Sequence, residues 1–373
     1  MSHRDHFSLN RFRMKSVTGY LPGLLSDVLR NRHCDSDDKR ILVTRHPAKH
    51  ASMFRDFWDW ATRQVPELVS RMEFQHLPFS LANTNHQRFS AHVSWINDTL
   101  DLWSPSGYRN ACRLVSQCRS NEIKCINSID RIANVGKSRG AELMRHAGVR
   151  TPIAISLVGK SNVTADELHA AGISLPCLIR EERGHGRMSE FVGDADQLAR
   201  IDLSKFHLPI AVEFIDTRDP IDGFYRKYRY ISAGEVGIPR HLITDTQWDV
   251  RPHRRIKEAH VLEQEAEYIR NPDPNHQQLQ AARDALGMDL VGFDYSFTPD
   301  GELVVWEANP YLDMNTPKHV SSNQLGDAVT RTFAAVCHLY LRSAGVEIPH
   351  HIQNILTTAA TFDSHVGAKP CNH

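Results

Sequence analysis

The chain predicts an α/β unit followed by α+β units, and three observations lead there. Strand and helix signals alternate between residues 41 and 126. Apolar strands joined by glycine turns dominate from 153 to 310. An amphipathic, helical pattern then runs from 324 to 344. A length of 373 residues leaves room for two or three domains with a substantial core. The expected division is an N-terminal α/β domain over 1–125, α+β subdomains over 126–208 and 209–320, and a helical tail over 321–373.

Each element has its own signal. The first stretch is polar, and 35–40 is a loop rich in aspartate; a short strand follows over 41–44. An aromatic-rich helix from 52 to about 63 stops near Pro66, and 138–146 is helical, ended by Gly148. Strands are expected over 153–158, 175–179 and 210–215, with a polar loop over 181–189 between the last two. Residues 228–232 and 235–243 form a hairpin around Gly234. A charged helix from about 257 to 270 is broken by the two prolines of 271–275. The 324–344 helix has an apolar face for its own domain or for a second copy, so a homodimer is open.

Composition excludes several classes. Hydrophobic residues at 41% and charged residues at 24% are ordinary for a globular protein. Lys+Arg and Asp+Glu both total 44, which argues against a dedicated nucleic-acid partner. The basic run 251–257 lacks interleaved aromatics and suits the neighbourhood of an anionic substrate better. Seven cysteines at 34, 112, 118, 125, 177, 337 and 371 form no Cys-x-x-Cys, and an odd count argues against a disulfide framework. No apolar run reaches the roughly 18 residues that span a bilayer, and the N-terminus lacks a signal-peptide core. The expectation is a cytoplasmic protein without a membrane partner. The 22 histidines add positive charge as pH falls through about 6.5. No His-Glu-x-x-His or phosphate-loop motif is present.

The most specific chemistry lies in 292–310. Asp294 precedes the turn 298–301, and Glu307 and Asn309 follow it, two apart on one strand and therefore on one face. Carboxylate and amide oxygens are what a hard cation such as Mg²⁺ prefers. A two- or four-residue loop brings Asp294 onto the same face; a three-residue loop with a glycine bulge reverses that parity. The competing reading is a solvated hairpin edge.

In this order the residues resemble the ATP-grasp superfamily, whose metal signature is an acidic residue on one strand and Glu-x-Asn on the next. Asp294 and Glu307-Ala308-Asn309 match that signature. The resemblance covers about 120–320 and implies an N-terminal α/β domain before a two-subdomain ATP-grasp fold. It gives Lys137 a phosphate-binding role. Arg180, where most members have Lys, becomes the second phosphate cation beside a loop containing Gly184 and Gly186. It makes 212–215 the hinge, where the backbone of Phe214 and Ile215 meets adenine. Glu213, Asp216, Asp219 and Asp222 compete for the ribose hydroxyls. Lys227, Arg229 and Arg240 are the catalytic cations, with Arg226 as a weaker candidate. D-alanine–D-alanine ligase places an Arg two residues before the metal-binding Asp; here Gly292 stands there, so that cation has to come from elsewhere.

The reaction implied is ATP- and Mg²⁺-dependent ligation (Mn²⁺ the alternative ion) of a small-molecule or peptide carboxylate to an amine through an acyl phosphate. An ATP-grasp phosphotransferase and a catalytically silent nucleotide-binding module are the alternatives.

Overall fold

The computed structural model describes residues 17–46, 54–77, 86–96, 99–183, 189–312, 314 and 323–360. Among these residues, twelve strands form three four-stranded sheets. In the first, β1 (Arg40–Arg45), β2 (Met72–His76), β3 (Phe89–Trp95) and β4 (Lys124–Ile126) are parallel, in the order β2-β1-β3-β4. Helices Arg55–Gln64 and Pro105–Ser120 provide crossovers, as parallel pairing requires. The second sheet, β5-β8-β6-β7, uses Ala154–Ser156, Cys177–Glu181 (β6), Ser189–Val192 (β7) and Pro209–Glu213 (β8) in antiparallel pairs. The third, β10-β9-β11-β12, is also antiparallel and uses Tyr225–Ala233 (β9), Val236–Asp245 (β10), Leu290–Phe297 (β11) and Leu303–Asn309 (β12).

The mixed α/β and α+β character matches the expectation. Helices Val17–Asn31, in the stretch read as polar, and His276–Leu286, directly after the proline break, were not singled out, nor were the short helices Ala165–Ala170 and Ala195–Ala199. His350–Ala360 falls within the stretch expected to be a helical tail. The expected loop at 181–189 contains the start of β7.

Apolar packing joins the sheets. Phe57, Trp58 and Trp95 of the first unit share one core with Ile231 and Ile238 of the third sheet and with Phe333 and Tyr340 of helix Asn323–Ser343. Trp95 Nε1 donates to the Tyr340 hydroxyl at 2.9 Å, so this helix docks on its own chain. A second core packs helix His276–Leu286 under Tyr230, Phe293 and Tyr295. Tyr295 donates to Asp273 at 2.6 Å beneath the sheet, which satisfies two buried polar groups at once. Asn127, just after β4, accepts from the backbone N–H of Asp289 and Leu290 at 2.9 Å each, fastening the first sheet to the start of β11. No helix among the described residues is long and apolar enough to cross a membrane.

Candidate functional site

The outer part of the β11–β12 hairpin pairs Phe297 with Leu303 and Tyr295 with Val305. Continued unbroken, that register would set Asp294 opposite Trp306 and turn it away from Glu307. A bulge intervenes. Asp294 pairs with Glu307 and Gly292 with Asn309, leaving Trp306 as the extra residue. Trp306 Nε1 donates to Ser296 Oγ at 2.8 Å, and Ser296 Oγ donates to the Arg226 carbonyl at 2.6 Å, which pins the bulge. Asp294, Glu307 and Asn309 therefore share a face.

Strand β9 lies beside β11 with Arg229 opposite Asp294. Arg229 Nε approaches Asp294 Oδ1 to 2.9 Å and Lys227 Nζ approaches Oδ2 to 3.8 Å. Asp294 is only 8% exposed, and its Oδ1 has no aligned hydrogen-bond donor among the described residues. The Arg229 contact is thus chiefly one of charge, and a buried acceptor is left for another partner. Gly292 makes room for this arrangement. A Cβ there would lie 2.9 Å from Arg229 Nη1 and 2.7 Å from Leu312 Cδ2. A cation, Arg229, thus reaches Asp294 from the neighbouring strand.

Strand β10 carries its own bulge at Arg240: Pro239 pairs with Tyr230 and His241 with Arg229. His241, absent from the sequence-based candidates, thereby joins the Arg229–Asp294 face. Burial holds its imidazole well below the ordinary value of 6.5, and Arg229, Arg240, Lys227 and Arg255 push the same way. A histidine kept neutral when folded takes up its proton only on unfolding. Its share of stability is complete above about 6.5 and falls as pH drops through that value, by about 1.4 kcal/mol per pH unit. Urea midpoints of the native chain and of His241→Gln, measured between about pH 7.5 and pH 5, should show a shallower decline in the variant. Parallel curves would remove His241 from this environment.

The second sheet supplies Arg180, on which the charge of Glu307 acts. Burial lowers the Arg180 pKa from its ordinary value, while Glu307 acts to raise it and Arg251 to lower it further. Lys137 opens helix Lys137–His146, and its Nζ donates to the Glu182 carbonyl at 3.2 Å. The Glu182 carboxylate accepts from Ser138 N–H at 3.2 Å, where the N-terminus of the helix favours an anion. Gly136 permits that approach, since a Cβ would stand 2.6 Å from Glu182 Oε1. Burial nevertheless raises the Glu182 pKa, against Ser138, Lys137 and Arg183. Arg183 is tied to Asp101 at 2.6 Å, joining the end of the β6 segment to the first unit. Gly184 and Gly186 lie outside the described residues.

At the 212–215 segment, Phe214 packs with Leu178, Ile210, Val212 and Trp248. Phe191 and Trp248 meet Phe214 edge-on with centroids 5.2 and 5.9 Å away. Trp248 is an apolar wall that no sequence signal singled out.

No protein-family model and no curated protein sequence matches the chain. Solved structures do. The ATP-grasp ligase PsnB, complexed with a phosphomimetic variant of minimal precursor, Mg and ADP, aligns over 83% of this chain and 99% of its own, with a TM-score of 0.52 and 13% identity. PsnB complexed with precursor peptide PsnA2 and AMPPNP aligns over 83% and 100%, with a TM-score of 0.51 and 14% identity. The chain has the ATP-grasp fold.

Among the acidic candidates near 212–215, the hydrogen bonding differs. Glu213 Oε2 accepts from Ile153 N–H at 2.9 Å. Asp222 receives Arg226 on both oxygens, at 3.1 and 2.5 Å, and Asp219 receives it at 2.9 Å. Arg226 is thus engaged with the 216–224 loop, on the strand face opposite Lys227 and Arg229. Asp216 accepts only from Arg218 N–H, at 3.0 Å, among the hydrogen bonds described. Within the basic run, Arg254 binds Asp245 at 3.0 Å and Asp249 at 2.5 Å, and Arg255 pairs with Glu265.

Proposed function

We propose that this chain is an ATP- and Mg²⁺-dependent ligase that joins a carboxylate to an amine and releases ADP and phosphate. The observation that carries the reading is Asp294 opposite Glu307, flanked by Arg229 and Lys227, with the charge of Glu307 acting on Arg180 of the second sheet. Asp294, Glu307 and Asn309 are assigned to hold Mg²⁺, and the buried, undonated Oδ1 of Asp294 suits a hard cation. The ion, when bound, supplies neutralisation of the triphosphate charge. Lys137 and Arg180 orient the triphosphate, and Gly184 and Gly186, outside the described residues, are assigned to bind it as well. Phe214 and Ile215 border the adenine, and Glu213, Asp216 or Asp222 takes the ribose, Asp216 having the fewest competing bonds.

Lys227, Arg229 and Arg240 stabilise charge during transfer. A carboxylate oxygen attacks the γ-phosphorus, the bond to the ADP oxygen breaks, and an acyl phosphate forms. The amine nitrogen then attacks the acyl carbon, phosphate leaves with the C–O electron pair, and the amine loses a proton. Positioning and charge neutralisation supply most of the acceleration, so no cysteine or serine nucleophile is required. PsnB is complexed with a precursor peptide, so peptides belong among the substrates tried.

The experiment is nucleotide-product analysis with panels of carboxylates, acidic peptides and amines, hydroxylamine being added as a trap. ADP with hydroxamate is the expected result. AMP as product would overturn the acyl-phosphate route, and a stable phosphorylated product without amine would favour a phosphotransferase.

A further inference from the structure

Away from the nucleotide cleft, three soft-ligand side chains meet between the first sheet and helix Pro105–Ser120. His92 on β3 pairs in register with Cys125 on β4, and Cys118 comes from the last turn of the helix. One ligand atom from each lies within 4.8 Å of the other two. Among the described residues no other three His, Cys, Asp or Glu side chains come so close.

Apolar packing alone does not explain this cluster. His92 is 1% exposed and Cys118 is fully buried, in a layer that also holds Leu42, Phe89, Leu114 and Ile123. The His92 Nε2 lies 2.9 Å from Thr44 Oγ1, while Nδ1 is buried with no well-aligned hydrogen bond, the Cys125 thiol lying next to the ring. A ring nitrogen without one at such depth is costly unless something else takes its lone pair. Thr44 can accept the Nε2 proton and so hold the tautomer whose Nδ1 is free to ligate, as a second residue commonly does behind a metal-bound histidine. The Cys125 thiol has a long contact, 3.7 Å, to the Ile123 carbonyl.

We propose that His92, Cys118 and Cys125 bind a thiophilic divalent cation of the Zn²⁺ class. In a tetrahedral site with metal–sulfur bonds of about 2.3 Å and metal–nitrogen bonds of about 2.0 Å, ligand atoms stand roughly 3.5–4 Å apart. Closing from within 4.8 Å needs only small side-chain rotations. Cys125 also lines a surface cavity of about 320 Å³ with Arg119, Ser128 and Asp289, which gives the ion a route from solvent and leaves its fourth position to water. The site is distinct from the oxygen-donor face of Asp294 and Glu307 in both position and ligand chemistry. Its occupancy ties β3, β4 and the helix together. Two residues beyond Cys125, Asn127 fastens the start of β11.

The test is titration of the full chain, reduced with a phosphine, with Co²⁺ and then Zn²⁺ in excess Mg²⁺. The expected result is about one equivalent of Co²⁺ with thiolate charge-transfer absorption and tetrahedral visible bands, displaced by Zn²⁺. The thiolate band separates this site from surface histidines. Cys125→Ser, at the partly exposed ligand, and His92→Ala should each weaken Zn²⁺ binding at least about tenfold. Each should also abolish the Zn²⁺-dependent rise in melting temperature seen with the native chain. Absence of the thiolate band in the folded, reduced native chain would overturn the proposal without reference to any variant. So would unchanged affinity in both variants, or a Cys118–Cys125 disulfide in a chain that takes up no metal once reduced.

Discussion

Glu307→Gln should lower ATP-dependent turnover by roughly two to three orders of magnitude, in the range seen when one charge-stabilising group is removed from an active site. The substitution keeps the shape of the side chain and removes one negative charge. That charge faces Asp294 across the hairpin and acts on Arg180 from the second sheet. Glu307 is partly exposed, so the loss of stability should stay below about 1 kcal/mol. Turnover and the apparent affinity for Mg²⁺-nucleotide should therefore fall while the urea midpoint barely moves. Raising Mg²⁺ should recover part of the loss if the carboxylate contributes ion affinity, and none if it acts on the cations alone. Native turnover in this variant would take Glu307 out of the site.

The way this face is assembled explains what a sequence reader can and cannot see. Residue type and spacing point to Asp294, Glu307 and Asn309, because oxygen donors stand out among apolar strand neighbours. Whether they share a face depends on the Trp306 bulge, held by Ser296 and the Arg226 carbonyl from another strand. A bulge adds no distinctive residue, so alternation alone leaves the parity open. The Arg240 bulge hides His241 in the same way: simple alternation along β10 does not predict its position opposite Arg229. Trp248 and Glu182 reach their places through contacts between segments tens of residues apart, with no local periodicity to reveal them. The strands of the second and third sheets were more legible, since strand runs and glycine turns are local signals. Helix Val17–Asn31 was not, because its pattern is inverted: Asp27 and Arg30 are buried, with Asp27 holding Arg30 and Arg45, while Leu25, Val28 and Leu29 are exposed.

Arg229→Met should be more damaging to turnover than Arg226→Met, although both arginines sit on β9 and both contact aspartates. Arg226 serves the 216–224 loop, while Arg229 lies over Gly292 beside Asp294. Loss of Arg229 should cost about 10²–10³ in kcat if it stabilises charge during transfer. Lysine should restore little, since a compact ammonium does not reproduce a guanidinium that spans Gly292 and Asp294. A structural explanation competes: without Arg229, the ion pairs of Asp294 among the described residues reduce to Lys227 at 3.8 Å, and the fold weakens. Combining Arg229→Met with Asp294→Asn isolates the structural part. The double variant should regain the melting temperature lost by Arg229→Met, because the isolated charge is gone. Its turnover does not assign Arg229, because Asp294 is itself placed on the ion. A Gly292→Ala chain completes the comparison. Its Cβ crowds Arg229 Nη1 without changing any charge, so a fall in kcat with a small change in melting temperature would trace the effect to the placement of the guanidinium.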